Sequence, residues 1–259
     1  MRAGLVSLRS TARAWPAAAV LALVLAAAAC GGDDESSTAR DTGTTTEEAQ
    51  ETTPTVEAAS CSAEVDHPLV PLSSVRLSVF RGSEKDPDSG ETIQSSGEMR
   101  VLDETAEVGG FQVAVVEVRE SEDGELVERT LDYYSQCEDG SVWYVGEKVD
   151  DYEDGEIVGH DGQWQAGKDG AEPGLFMPAD PKVGDTFEQE RAPGVAEDRS
   201  TVVADGVAVK TAAGSFDDCI KTRDFAPLDN STEFKFYCSG VGLVREQRPG
   251  LLNDLVRYR

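Results

Sequence analysis

Positive charge is what this chain has least of. Twenty-three lysines and arginines stand against fifty aspartates and glutamates, for a net charge of −27. A surface so short of cations cannot neutralise phosphates, which excludes nucleic acid as a partner and sets the domain against anionic lipid headgroups. Histidine is scarce too: only His67 and His160 occur. There is no H-E-x-x-H, no paired-histidine spacing, no G-x-S-x-G, and no serine or cysteine with a visible base partner. The recognisable zinc and nucleophile-hydrolase sets are missing, so the expectation is a protein that is not an enzyme. His160, between Gly159 and Asp161, reads as a turn residue. No window holds a sustained 3.6-residue apolar period, so helix should be scarce. The apolar run Pro16–Ala29 has 14 residues, too few to span a bilayer.

That run, preceded by Arg2, Arg9 and Arg13, has the form of a secretory signal over residues 1–29. It ends in small residues followed directly by Cys30, Gly31 and Gly32. This junction resembles the lipobox of bacterial lipoproteins, which implies a diacylglycerol thioether on Cys30. The membrane would then be a partner through that lipid, on the extracytoplasmic face. Ala27 stands where that family usually has Leu, and Ala27-Ala28-Ala29 also suits ordinary signal-peptidase cleavage. Loss of the three arginines takes the net charge to −30. The plain account of that charge is solubility; the sharper one is cation binding. Residues 30–60 then form an acidic, Thr-rich tether, because Asp33–Ser60 has eight acids, eight threonines and no aromatic side chain.

Residues 61–259 read as a single β domain. Short period-two runs recur, among them Val75–Phe80, Ile93–Leu102, Phe111–Val118, Leu126–Tyr134, Val142–Val149, Thr201–Val209 and Phe216–Phe225. Asp123-Gly124, Asp139-Gly140, Asp154-Gly155, Asp161-Gly162, Asp169-Gly170 and Asp205-Gly206 lie between such runs. Asp-Gly there is a strong hairpin signal, since both turn positions need positive φ. The expected fold class is all-β, an antiparallel curved sheet or half-barrel with little helix.

Five cysteines are odd in number for a secreted protein. Lipidation of Cys30 leaves four. Cys219 and Cys238 flank a turn centred on Pro227–Asn230, where paired residue numbers should sum to about 457, as these two do. That pairs Cys219 with Cys238 and leaves Cys61 with Cys137. The same register sets Asp224 opposite Glu233, an unfavourable like-charge pair. A cysteine metal site is the weaker alternative, because there is no C-x-x-C and the compartment is oxidising.

Two candidate sites stand out. Asp150, Asp154 and Gly155 fit part of a calcium-loop pattern, with Asp161 at its twelfth position, but Tyr152 fails at the third. The plain alternative is a solvated acidic hairpin. Aromatic residues crowd the second half: Tyr133, Tyr134, Trp143, Tyr144, Phe176, Phe187, Phe234, Phe236 and Tyr237. Alternation places one set on the concave face of a curved sheet, as core or as the lining of a hydrophobic cleft. A cap would come from the loop Pro173–Pro181. Trp143, Tyr144, Phe176 and Met177 are the candidate ligand contacts.

The blocks SVWYVGE (141–147), DGAEPGLFMPADPKVGDTFEQERAPGVAED (169–198), GSFDDCIKTRDFAPL (214–228) and GVGLV (240–244) resemble motifs of an uncharacterised family of bacterial secreted proteins and lipoproteins. The similarity covers about Val65–Gln247. More loosely, the Gly-Ser-Phe strand and GVGLV resemble the curved-sheet periplasmic lipoprotein carriers, an analogy of fold that does not fix function. Cys238 and Ser239 stand where the first family commonly has Ala-Pro, which fits an added disulfide. The expectation is a lipid-anchored binding protein holding a hydrophobic small molecule or lipid, apolar or amphipathic, in its sheet. The alternative is a cell-surface structural or interaction domain stabilised by Ca²⁺.

Overall fold

Apolar residues at every second position, interrupted by glycine-rich reversals, leave this chain little choice but strand. A computed structural model describes residues 56–85 and 90–259, which lie within one unit, Glu51–Arg259. The expected signal, Cys30 and most of the expected tether lie outside the described residues. After a 3-10 turn at Ala58–Ser60 come β1 (Cys61–Ser62), β2 (Leu77–Lys85), β3 (Thr92–Val108), β4 (Phe111–Glu122) and β5 (Glu125–Cys137). Then follow β6 (Val142–Glu153), β7 (Glu156–Gly159), β8 (Trp164–Gln165), β9 (Gly174–Met177) and β10 (Thr186–Glu188). The last are β11 (Arg199–Thr211), β12 (Gly214–Ala226), β13 (Ser231–Cys238), β14 (Gly242–Arg248) and β15 (Leu251–Tyr258).

All fifteen form one antiparallel sheet in the order β10-β11-β12-β13-β14-β15-β2-β3-β4-β5-β6-β7, with β1 added to β5 and β8 and β9 added to β6. The sheet stays open and is not closed into a barrel. Its two ends nevertheless approach. Glu172 N–H donates to Arg191 O at 2.9 Å, and Gln189 Nε2 donates to Phe176 O at 3.1 Å. Gly174 makes that approach possible, since a Cβ there would sit 1.9 Å from the Gln189 carbonyl oxygen.

The turns behave largely as their residues dictate. Asp123 (φ 49°) with Gly124 (φ 91°), and Asp154 (φ 53°) with Gly155 (φ 80°), close the β4–β5 and β6–β7 hairpins. Asp205-Gly206 does not make a turn. It lies inside β11, where the register against β12 slips between Ala204 and Val207. Gly206 has φ 59°, so the residue pair that suits a tight turn here makes an irregularity within a long hairpin. The stretch 174–177, expected as a capping loop, is instead a strand on β6. The folded part also begins earlier than residue 61, because Val56 and Ala58 pack against the core.

Both expected disulfides are present, each across a directly opposed pair: Cys61–Cys137 and Cys219–Cys238, with Cα–Cα distances of 3.8 and 4.0 Å. The main core is built by Val113–Val116 of β4 and Val142–Val145 of β6, buried on both faces. A second cluster around Phe80, Phe236, Val244 and Leu255 also takes in the Cys219–Cys238 bridge.

Candidate binding cavity

Curvature gives the sheet an inside. On β5 the inward set is Glu128, Thr130, Asp132 and Tyr134; β4 contributes Val116, Val118 and Glu120 opposite them. With Glu147 of β6, Lys235 and Tyr237 of β13, and Glu246 of β14, these residues line a cavity of about 250 Å³. Its other wall is apolar. The Pro-broken segment 69–75 folds over the sheet and supplies Leu69, Val70, Pro71, Leu72 and Val75, which meet Met99, Val101, Val241 and Leu243.

His67 holds that wall in place. Its Nδ1 accepts from Leu69 N–H at 3.1 Å, and its Nε2–H donates to Pro178 O at 3.1 Å. The ring is buried, and burial lowers its pKa, which favours the neutral tautomer those bonds require. His67 is thus a staple between the entry segment and the loop after β9.

The polar wall is dense in carboxylates. Glu120 lies directly opposite Glu128, and Asp132 directly opposite Glu147. Asp132 is buried and accepts from Thr130 Oγ1 at 2.7 Å and from Tyr134 OH at 3.4 Å. Burial raises its pKa to about 6, against the pull of those bonds and one from Tyr144. Burial, and then the charge of Asp132, push Glu147 to about 9. Burial also brings Glu246 to about 7 and, with Glu128 adding to it, Glu120 to about 7. Glu120 is exposed at the rim, where water screens it most. Glu128 is raised by burial and by Asp151 and Asp132. Where β10 leads on toward β11, burial puts Glu190 at about 8 and Asp198 at about 6.

One cation faces this set. Lys235 Nζ lies 2.9 Å from Glu233 Oε1 and 3.5 Å from Asp224 Oδ2. Burial pulls its pKa down, but Glu233 and Asp224 more than offset that and leave it well above the usual lysine value. Lys235 in turn holds Glu233 low. This resolves the unfavourable Asp224–Glu233 pair: the register is as expected, and the ammonium sits between the two carboxylates. Ser200 Oγ donates to the other oxygen of Asp224 at 2.7 Å.

Of the aromatic candidates, Phe176 lines the cavity. Trp143, Tyr144 and Met177 do not; they are 3%, 6% and 0% exposed and belong to the packed core. Trp143 Nε1–H is satisfied by Ser141 Oγ at 2.9 Å. Tyr144 stacks on Tyr134 at 5.0 Å and meets Trp164 at 5.6 Å, a layer behind the wall. The calcium-loop residues are not assembled. Asp150 is engaged by Arg129 at 3.4 Å and His160 at 3.2 Å, while Asp154 and Asp161 are exposed in turns. Among the described residues no group of three or more His, Cys, Asp or Glu side chains is placed to hold a metal ion.

Glu120, Glu128, Asp132, Glu147, Glu246, Lys235 and the apolar segment 69–75 were not singled out by sequence. The signal for the first pair was present, because a hairpin closed at Asp123-Gly124 sets 120 and 128 opposite one another within one residue. Comparison with protein-family models, with curated proteins and with solved structures gave no match in any of the three.

Proposed function

We propose that this chain is an extracytoplasmic binding protein, held at the membrane by a lipid on Cys30, that carries an amphipathic ligand in the concavity of its sheet without transforming it. The observation that carries the proposal is the cavity of about 250 Å³ with an apolar wall on one side and carboxylates on the other. Apolar lining with a few convergent polar groups is the usual make-up of a small-molecule site. Such sites usually measure about 300–1,000 Å³, so this smaller volume suits a short ligand. Two disulfides support an oxidising compartment.

The test is a neutral solvatochromic dye titrated into the full chain. Its emission should rise on binding and should not rise with Val118→Trp, which fills the cavity from β4 next to Val116. Equal emission from both proteins, or none from the wild type, would remove the proposal.

A further inference from the structure

We propose that the ligand's polar end is an organic cation, a protonated amine on an apolar body, received by the carboxylates of the concave face. This rests on the binding function proposed above and names the chemistry of what is bound.

The first observation is the imbalance of partners. Glu120, Glu128, Asp132, Glu147 and Glu246 line the cavity with Lys235 as the one cation among them, and Lys235 is already committed to Glu233 and Asp224. The opposite face of the same strands is built differently. There Arg129 Nε donates to Glu117 at 2.7 Å and its Nη1 reaches Asp150 at 3.4 Å. Like charges directly across a strand pair are destabilising, so Glu120 opposite Glu128 lowers the stability of the empty fold, and at Asp132 opposite Glu147 the conflict is met by keeping Glu147 protonated up to about pH 9. A cation between them reverses the sign of that interaction.

The second observation is independent of the acids. Tyr237 is 4% exposed and lines the cavity, and among the described residues its hydroxyl has no hydrogen-bond partner. The hydroxyl is not among the sealed, unpartnered atoms of the core, so it opens onto the cavity and takes its partner from whatever fills it. An ammonium N–H from the ligand supplies that partner, and the aromatic residues Tyr134, Phe176 and Tyr237 line the same cavity. The carboxylates are spread over β4, β5, β6 and β14, and no three are placed for a metal ion among the described residues. That arrangement fits an extended organic cation better than a bare one.

Octylamine, octanol and octanoate share a tail and differ in head charge. Each is titrated calorimetrically into the full chain at low salt. Octylamine should bind about tenfold or more tighter than octanol, and octanoate weakest, as charge-assisted hydrogen bonds require. Glu120→Gln and Glu128→Gln, exposed and half-buried in the lining of β4 and β5, should each weaken octylamine and leave octanol unaltered. Octylamine binding should also release protons near neutral pH, because it favours the ionised form of carboxyls that burial keeps partly protonated. Equal affinity for all three compounds, or tightest binding of octanoate, would overturn the cation and leave the cavity function standing. Absence of binding by any of them would overturn both. Displacement of octylamine by Ca²⁺ alone would assign the carboxylates to a metal instead.

Discussion

Lys235→Met is the substitution whose outcome the structure constrains most closely. Methionine keeps most of the stem's volume and removes the charge. The ammonium lies 3.5 Å from Asp224, whose side chain is 4% exposed, and 2.9 Å from Glu233, whose side chain is 30% exposed. Asp224 Oδ2 has no hydrogen bond, so the ion pair is its contact with charge. Breaking a fully buried pair by removing one partner costs about 3–5 kcal/mol. Lys235 is itself 25% exposed and Glu233 more so, and solvent screening reduces the expected loss to about 2–3 kcal/mol. That corresponds to roughly 4–12 °C in Tm for a domain of this size. Urea unfolding should show the midpoint falling with little change in slope. The pH arm has a definite sign. Lys235 holds Glu233 below its ordinary value of 4.5, so the stability it contributes is fully present above that value and lost as pH falls through the folded pKa. The gap between wild type and variant should therefore be widest near neutrality and close in acid. Adding Asp224→Asn should recover part of the loss. A variant as stable as wild type at neutral pH, or a gap unchanged in acid, would show that Lys235 acts through its stem and not through its charge.

The carboxyls raised by burial make a second prediction: wild-type stability, followed by urea midpoint, should fall as pH climbs from about 5 to about 9. Glu120, Asp132, Glu147, Glu190, Asp198 and Glu246 all hold protons more tightly folded than unfolded, so the native state is favoured by acid over that window. Replacing both Cys61 and Cys137 by serine should cost about 4–5 kcal/mol, and replacing Cys219 and Cys238 about 3 kcal/mol, on the loop-entropy model. The order follows from sequence separations of 76 and 19, and denaturant curves of the two double variants check it. Gly174→Ala drives a Cβ into the Gln189 carbonyl and should cost about 1–3 kcal/mol. Hydrogen exchange at Gln189 and Glu190 should speed up selectively, where the two ends of the sheet meet.

Local chemistry fixed what could be fixed from neighbours in the chain. Alternation gave strands, and Asp-Gly pairs with positive φ gave the β4–β5 and β6–β7 hairpins. Symmetry about Pro227–Asn230 gave the pairing of Cys219 with Cys238, and elimination gave Cys61 with Cys137. Asp205-Gly206 shows the limit of that logic, since a residue pair able to turn need not turn when both flanks are held in one long strand pair.

The cavity belongs to the other category. A polar residue in a period-two strand looks the same whether it faces water or a concavity, and with fifty acids in the chain no single one announces itself. Curvature decides which face of β4, β5 and β6 becomes an interior, and it alone brings Lys235 and Glu246 toward Glu120, Glu128 and Asp132, more than a hundred residues away. The same curvature turns the segment 69–75 into an apolar wall stapled by His67. Sequence by itself determined strand content, hairpins and bridges, because those depend on residues close in register. Only the tertiary structure decided which acids lost their water, because desolvation depends on what the far side of the sheet places over them.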